Sequence, residues 1–174
     1  MSSPDRQEQI EILLDHFRNP THHGQLEDAT VIMPGGNPGC GDVITIYLKP
    51  NADGSVVDDV TWEGEGCTIS QAAASILMEM VHDENWTMEG ILEHDYTTMI
   101  EILGKEAVQM RPKCATLALG TLKAAVRKYQ RDLMIAQIGA DAAADAALLE
   151  EDNLGIVVGE RALAEKGNVT ARNH

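Results

Sequence analysis

The chain has 174 residues, of which 44% are hydrophobic and only 3% aromatic, so its core must be built mainly from aliphatic side chains. Its formal net charge of −15 opposes binding to a nucleic-acid backbone or to an anionic membrane surface. The length suits one domain with a sizeable core and an added tail.

The sequence also bears on the compartment in which the protein works. No segment contains the run of about 20 apolar residues that a membrane-spanning helix needs. The N-terminal residues "MSSPDRQEQIEILL" lack the basic and apolar regions of a signal peptide. We therefore expect a cytoplasmic protein, in which the three cysteines are free thiols or metal ligands rather than disulfides.

The first half of the chain predicts one helix and then three strands. Apolar residues at helical spacing predict an amphipathic N-terminal helix in "DRQEQIEILLDHFRNP". The next segment, "ATVIMPGG", predicts a short strand that Pro34 and two glycines interrupt. Two further strands are predicted by "DVITIYLK" and "SVVDDVTWEGEG", with turn residues between them. The simplest arrangement is a three-stranded antiparallel sheet with one face left to be covered.

The second half supplies helices to cover that face. Helical periodicity is present in three segments, which read "TISQAAASILMEMVH", "TMEGILEHDYTTMIEILG" and "CATLALGTLKAAVRKYQRDLM". Strands followed by helices predict an α+β fold, a three-stranded antiparallel sheet covered on one face by helices. From Gly139 the chain becomes rich in Ala, Asp and Glu. We therefore expect residues 1–138 to form the domain and residues 139–174 an acidic, Ala-rich and partly flexible C-terminal appendage.

All three cysteines stand at boundaries between predicted elements. Cys40 lies in the Gly-rich turn "NPGCGD", Cys67 joins a strand to a helix in "GEGCTIS", and Cys114 begins a helix in "RPKCATL". The free N–H groups and the dipole of a helix N-terminus favour the thiolate of Cys67 and Cys114. Asp42 follows Cys40 by two residues, and alternate residues of a strand share a face. Three thiolates and one carboxylate are enough ligands for tetrahedral Zn²⁺ or for an iron–sulfur cluster.

Two other classes of protein also fit these cysteines. A thiol-dependent enzyme would use Cys114 as a nucleophile, although the sequence offers no convincing His or Asn partner for it. A purely structural zinc domain would use the same ligands, although such sites favour closed sets of Cys and His. His22 and His23 can approach the cysteines, but exposed loop histidines are more often only solvated.

At these motifs the chain resembles the U-type iron–sulfur cluster assembly proteins, the family of IscU, SufU and the NifU N-terminal domain. Four stretches carry the resemblance over roughly residues 10–130, namely "DHFRNPTHHG", "NPGCGD", "GEGCTISQAAAS" and "RPKCATL". The resemblance implies an α+β scaffold that binds Zn²⁺ or a transient [2Fe–2S] cluster through Cys40, Asp42, Cys67 and Cys114. It also implies a non-enzymatic protein that accepts persulfide sulfur from a cysteine desulfurase and serves apo iron–sulfur recipient proteins.

Within this family the chain looks closer to the SufU branch. The stretch "AVQMRPKC" contains no Leu-Pro-Pro-Val-Lys chaperone motif, and Lys113 stands where the IscU branch has a His. The chain has room for only part of the insertion that SufU proteins usually carry between the second and third cysteines. We expect Cys40 to accept the persulfide, because glycines leave it free to move, with Cys114 as the second candidate beside two cationic residues. The expected oligomeric state is a monomer or a weak dimer.

Overall fold

The computed structural model describes residues 5–39 and 41–138, together with the backbone of residues 157–158. The elements follow in the order α1 (Arg6–Arg18), β1 (Val31–Asn37), β2 (Asp42–Pro50), β3 (Val57–Glu65), α2 (Thr68–Asp83), α3 (Met88–Glu93), α4 (Tyr96–Leu103), α5 (Lys105–Val108), α6 (Pro112–Ile138) and β4 (Val157–Val158). The predicted α+β fold, with an N-terminal helix before an antiparallel sheet, is confirmed. Within the described ranges, no helix is both long enough and apolar enough to cross a bilayer.

The sheet has the strand order β3-β2-β1-β4, with antiparallel pairing throughout. Strands β1 to β3 are the predicted meander. The two-residue strand β4 is an addition, and it pairs Val158 with Gly35 and Val157 with Gly36 at the outer edge of β1. The division between residues 1–138 and an appendage of residues 139–174 stays a prediction, because most of the appendage lies outside the described residues.

Strand β1 is longer than the sequence predicted, since Pro34 and the two glycines do not interrupt it. The strand pairs with β2 without a break up to Asn37, which lies opposite Asp42. Proline removes only one hydrogen-bond donor from a ladder and is tolerated in a strand near the sheet edge. Gly35 is required by packing, because a Cβ at this position would overlap the side chain of Thr121 on α6. Helix α6 therefore lies directly against β1.

One face of the sheet forms the core under helices α2 and α6. Helix α6 packs on β1 and β2, and helix α2 packs on β3. The strand side chains buried on this face are Val31, Met33, Ile44, Ile46, Leu48, Val60 and Trp62. Because side chains of a strand alternate between faces, the same face includes Asn37 and Asp42 at the end of the β1–β2 pair. The hydrophobic alternation thus places two polar side chains beneath the helices.

The segment 88–103 was predicted as part of one helix, and this prediction was wrong. The structure has two short helices, α3 and α4, separated at His94 and Asp95. The Asp95 side chain accepts a hydrogen bond from the Thr97 backbone N–H, so it caps the start of α4. The His94 ring stacks on Trp86 at a centroid distance of 3.7 Å. Local capping and this aromatic contact therefore break the helix.

The predicted N-terminal helix is present as α1, and it packs on α2. Its N-terminus has a capping box between Asp5 and Glu8. Leu13 is buried, and His16 Nδ1 lies 2.8 Å from Ser75 Oγ on α2. Phe17 is one of the apolar residues at helical spacing in this segment, but its side chain is exposed.

Candidate metal centre

The candidate site is built around Asp42, the first residue of β2. Asp42 lies on the core face of the sheet, opposite Asn37, and is only 3% exposed. A carboxylate in this position is withdrawn from water and needs donors or cations around it. The two elements that supply partners are the N-termini of α2 and α6.

Cys67 reaches the carboxylate from the N-cap position of α2. Its backbone N–H donates to Asp42 Oδ1 at 3.2 Å, and its Sγ lies 3.4 Å from Asp42 Oδ2. A Cβ at Gly66 would come within 2.7 Å of Asp42 Oδ1 and 2.8 Å of Ser70 Oγ. Glycine before Cys67 is therefore what allows the end of β3 to pass so close to Asp42.

Cys114 reaches the same carboxylate from the first turn of α6. It is 1% exposed, and its Sγ lies 3.2 Å from Asp42 Oδ2. Burial raises the pKa of the Cys114 thiol, and the neighbouring Asp42 carboxylate and Cys67 raise it further. The expectation that the helix N-terminus favours the Cys114 thiolate is thus wrong for the protein without a bound cation, because removal from water dominates.

The three groups converge on one point. One donor atom each from Asp42, Cys67 and Cys114 lies within 4.8 Å of the other two. Thiolates and a carboxylate are the donors that Zn²⁺ accepts, and thiolates are those that iron–sulfur clusters use. A divalent cation between them would supply the positive charge that favours the deprotonated thiols. The donor set therefore fits both predicted groups, Zn²⁺ and a [2Fe–2S] cluster.

Cys40, the fourth predicted ligand, lies outside the described residues, so its role stays a prediction. Its neighbours Gly39 and Gly41 are in a turn, and β2 begins only at Asp42. The expectation that the side chains of Cys40 and Asp42 point to the same side therefore also stays a prediction. Gly41 has a φ of +71°, which suits glycine.

Two further polar residues, Asn37 and Ser70, border the site, and neither was predicted from the sequence as a site residue. Asn37 is 5% exposed, and its Nδ2 lies 3.9 Å from Cys114 Sγ. Ser70 donates its hydroxyl to the Cys67 carbonyl at 3.0 Å, and its Oγ lies 3.8 Å from Cys67 Sγ. The available signals were an Asn that opens a Pro-Gly turn and a Ser in the first turn of a helix.

The two loop histidines make other contacts. The His22 ring stacks on His82 with a centroid distance of 3.9 Å, and the His23 ring lies edge-on to Trp62 at 4.8 Å. Burial lowers the pKa of His22, and the nearby His82 lowers it further. Both histidines are exposed, as expected, and their rings also contact His82 at the end of α2 and Trp62 on β3. Neither histidine belongs to the group around Asp42.

Comparison with known proteins identifies the family to which the chain belongs. Residues 8–135 match the family model described as NifU-like N terminal domain. The chain belongs to this family. It is 39% identical to the iron–sulfur cluster assembly scaffold protein IscU of Thermotoga maritima, covering 70% of this chain and 94% of the relative. It is 33% identical to the zinc-dependent sulfurtransferase SufU of Bacillus subtilis, covering 69% of this chain and 90% of the relative.

Solved structures include members with the same architecture as this NifU-like domain. One is the crystal structure of a proposed iron–sulfur cluster assembly scaffold for the SUF system from Fervidobacterium islandicum. It has 29% sequence identity to this chain and a TM-score of 0.50, and the match covers 67% of this chain and 94% of that one. Both IscU-named and SufU-named proteins are therefore relatives of this chain.

Proposed function

We propose that this protein acts in iron–sulfur cluster assembly, as a SufU-like sulfur carrier and as a scaffold for a transient [2Fe–2S] cluster. The observation that supports this most directly is the convergence of Asp42, Cys67 and Cys114 within 4.8 Å. It occurs in a NifU-like domain whose relatives are named as a cluster assembly scaffold and as a zinc-dependent sulfurtransferase. The partners in this proposal are a cysteine desulfurase and apo iron–sulfur proteins in the cytoplasm, with the carrier a monomer or weak dimer.

The proposed sulfur transfer is an exchange between a thiolate and a persulfide. A thiolate of this protein attacks the outer sulfur of the desulfurase persulfide, and a new S–S bond forms to that sulfur. The S–S bond of the donor breaks, and the desulfurase cysteine leaves as a thiolate. Cys40 remains our first candidate for the attacking residue. The burial of Cys114 supports the choice of Cys40 over Cys114, because a persulfide carried by another protein must reach the attacking sulfur.

Asp42, Cys67 and Cys114 would hold the metal, with Cys40 as the proposed fourth ligand. Bound Zn²⁺ would keep these thiols deprotonated at neutral pH. Asp42 offers a hard oxygen donor beside two soft sulfur donors, and such a donor holds a cluster less firmly than a fourth thiolate would. We propose that it is the ligand that gives way when the cargo leaves.

Analysis of protein purified without oxygen tests this function. Zinc at one equivalent together with stimulation of a cysteine desulfurase would support sulfur relay. Iron and acid-labile sulfide in equal amounts, with visible absorption, would support the cluster scaffold. A protein that retains neither metal nor cluster and does not stimulate the desulfurase would overturn both.

The two alternative functions predict different results. A thiol-dependent enzyme needs a nucleophile whose pKa is lowered or that is paired with a base, and the raised pKa of the Cys114 thiol opposes this. A purely structural zinc domain would unfold when a chelator removes the metal and would not stimulate a desulfurase. Circular dichroism before and after chelation separates this alternative from the proposed function.

A further inference from the structure

Asn37 occupies an unusual position for an uncharged amide. It is the last residue of β1, it lies directly opposite Asp42, and it is 5% exposed. The other buried side chains on this face of β1, Val31 and Met33, are apolar. A buried amide is costly unless its oxygen and nitrogen both find partners. The partners of Asn37 belong to two different parts of the site.

The first partner is the turn that contains Cys40. Asn37 Oδ1 accepts a hydrogen bond from the Gly39 N–H at 3.3 Å, and the Asn37 backbone carbonyl accepts one from the Gly41 N–H at 2.9 Å. One residue thus binds the turn immediately before and immediately after Cys40. These two hydrogen bonds restrict the conformations that the turn can adopt.

The second partner is Cys114 on α6. Because the oxygen of the amide is engaged by the Gly39 N–H, the nitrogen is the end that faces the sulfur. Asn37 Nδ2 lies 3.9 Å from Cys114 Sγ, a long contact that is within the range for sulfur acceptors. An amide N–H near a metal-bound thiolate orients the sulfur and withdraws electron density from it.

We propose that Asn37 is a positioning residue that joins the Cys40 turn to the sulfur of Cys114. Its oxygen holds the turn, and its N–H donates to the Cys114 sulfur when that sulfur is a metal ligand. The inference rests on the proposed function for its metal-bound form, whereas the hold on the turn is a property of the protein alone. A role limited to the turn is the competing explanation.

The substitution Asn37→Asp separates these two roles. Aspartate keeps a side-chain oxygen for the Gly39 N–H and suits such turns as well as asparagine does, but it cannot donate to Cys114. Asn37→Ala removes both contacts and adds no charge. Asn51→Asp is the matched control, because Asn51 Oδ1 accepts from Ser55 N–H and Val56 N–H in a turn outside the site.

The measurement is binding of Co²⁺ and Zn²⁺ to the full chain, with the sulfur-to-cobalt charge-transfer band as a spectroscopic readout. We expect Asn37→Asp and Asn37→Ala to weaken Zn²⁺ binding by about 10- to 100-fold, because losing a residue that hydrogen-bonds to a metal ligand has an effect of this size. We also expect both substitutions to shift the charge-transfer band. Asn51→Asp should match the parent. In the metal-free protein, Asn37→Ala but not Asn37→Asp should speed hydrogen exchange at the Gly39 and Gly41 amides.

The outcomes distinguish the two proposals. Suppose that the parent binds metal and that Asn37→Asp binds it equally tightly with the same spectrum. That result would overturn the role of the Asn37 N–H and leave the proposed function intact. Weak binding by Asn37→Asp with parental binding by Asn37→Ala would show an effect of charge and also overturn it. A parent protein that binds neither Co²⁺ nor Zn²⁺ would overturn both proposals.

Discussion

Both ends of helix α2 carry a side chain that can bind a metal ion, but the surroundings of the two side chains differ. At its N-cap, Cys67 meets Asp42 and Cys114 with donor atoms within 4.8 Å of one another. In its last turn, His82 stacks face to face on His22, and its Nε2 lies 3.0 Å from the Val60 carbonyl. The histidine nitrogen is engaged by the backbone, whereas the sulfurs and the carboxylate face a common point. Convergence of donor atoms, rather than the presence of ligand-type residues, therefore marks the candidate site.

The strongest test of this contrast is to remove one donor from the group of Asp42, Cys67 and Cys114 at the N-terminus of α2, and the His82 ring from its C-terminal end. We expect Cys114→Ala to lower Zn²⁺ affinity by more than the roughly 100-fold that loss of an outer partner costs, because it removes a ligand. His82→Gln should leave the affinity unchanged. Competition with a chromogenic chelator measures both. Equal affinity in Cys114→Ala and the parent would remove Cys114 from the ligand set.

The next largest effect is expected from the glycine that precedes Cys67. Gly66→Ala would place a Cβ against the Asp42 carboxylate and Ser70 Oγ. We expect Zn²⁺ affinity to fall about 10- to 100-fold and the free energy of unfolding to fall by about 1–3 kcal/mol. Gly24→Ala is the matched control, because Gly24 also has a positive φ but has no atom near its Cβ position. Equal affinities in the two variants would show that contact with Asp42 is unimportant.

Asp42→Ala tests whether the oxygen donor is the ligand that gives way. We expect the variant to fold and to release a reconstituted cluster more slowly than the parent, because the ligand proposed to give way is absent. Transfer to an apo-ferredoxin, followed by visible absorption, measures the rate. Faster loss of the cluster from the variant than from the parent would contradict this role.

At the histidine end of α2 the expected effect is on stability alone. His82→Gln removes the ring contact with His22 and weakens the bond to the Val60 carbonyl. Loss of one hydrogen bond costs about 1 kcal/mol. Urea unfolding of the variant and the parent measures the difference. A matching loss of metal binding would show that the two ends of α2 are coupled after all.

The smallest expected effect is a dependence of stability on pH through His22. Burial and the neighbouring His82 lower the pKa of His22 below its usual 6.5. The unfolded chain therefore binds the proton more readily, and stability should fall as the pH drops from about 6.5 toward the lowered pKa. His22→Asn should flatten this dependence, since asparagine tolerates the positive φ of +51° at this position. An unchanged slope would assign the pH dependence to other groups.

Some features could be predicted because short stretches of the chain specify them. The alternating apolar residues of β2 defined both faces of the strand, and the core face then included Asp42. Helical periodicity and the strand-to-helix junction placed Cys67 at the start of α2. The same local rules failed at His94 and Asp95, where a cap and an aromatic stack outweigh the helical pattern.

The sequence by itself determined the α+β class, the elements that carry the cysteines and the kind of donors present. Only the tertiary structure decided that Asp42, Cys67 and Cys114 meet, that Asn37 lies beside Cys114, and that β4 adds to the edge of β1. It also reversed the expected direction of the Cys114 pKa. The physical reason is that periodicity and helix dipoles act over a few neighbouring residues. Burial and contacts between distant segments depend on how the helices pack on the sheet.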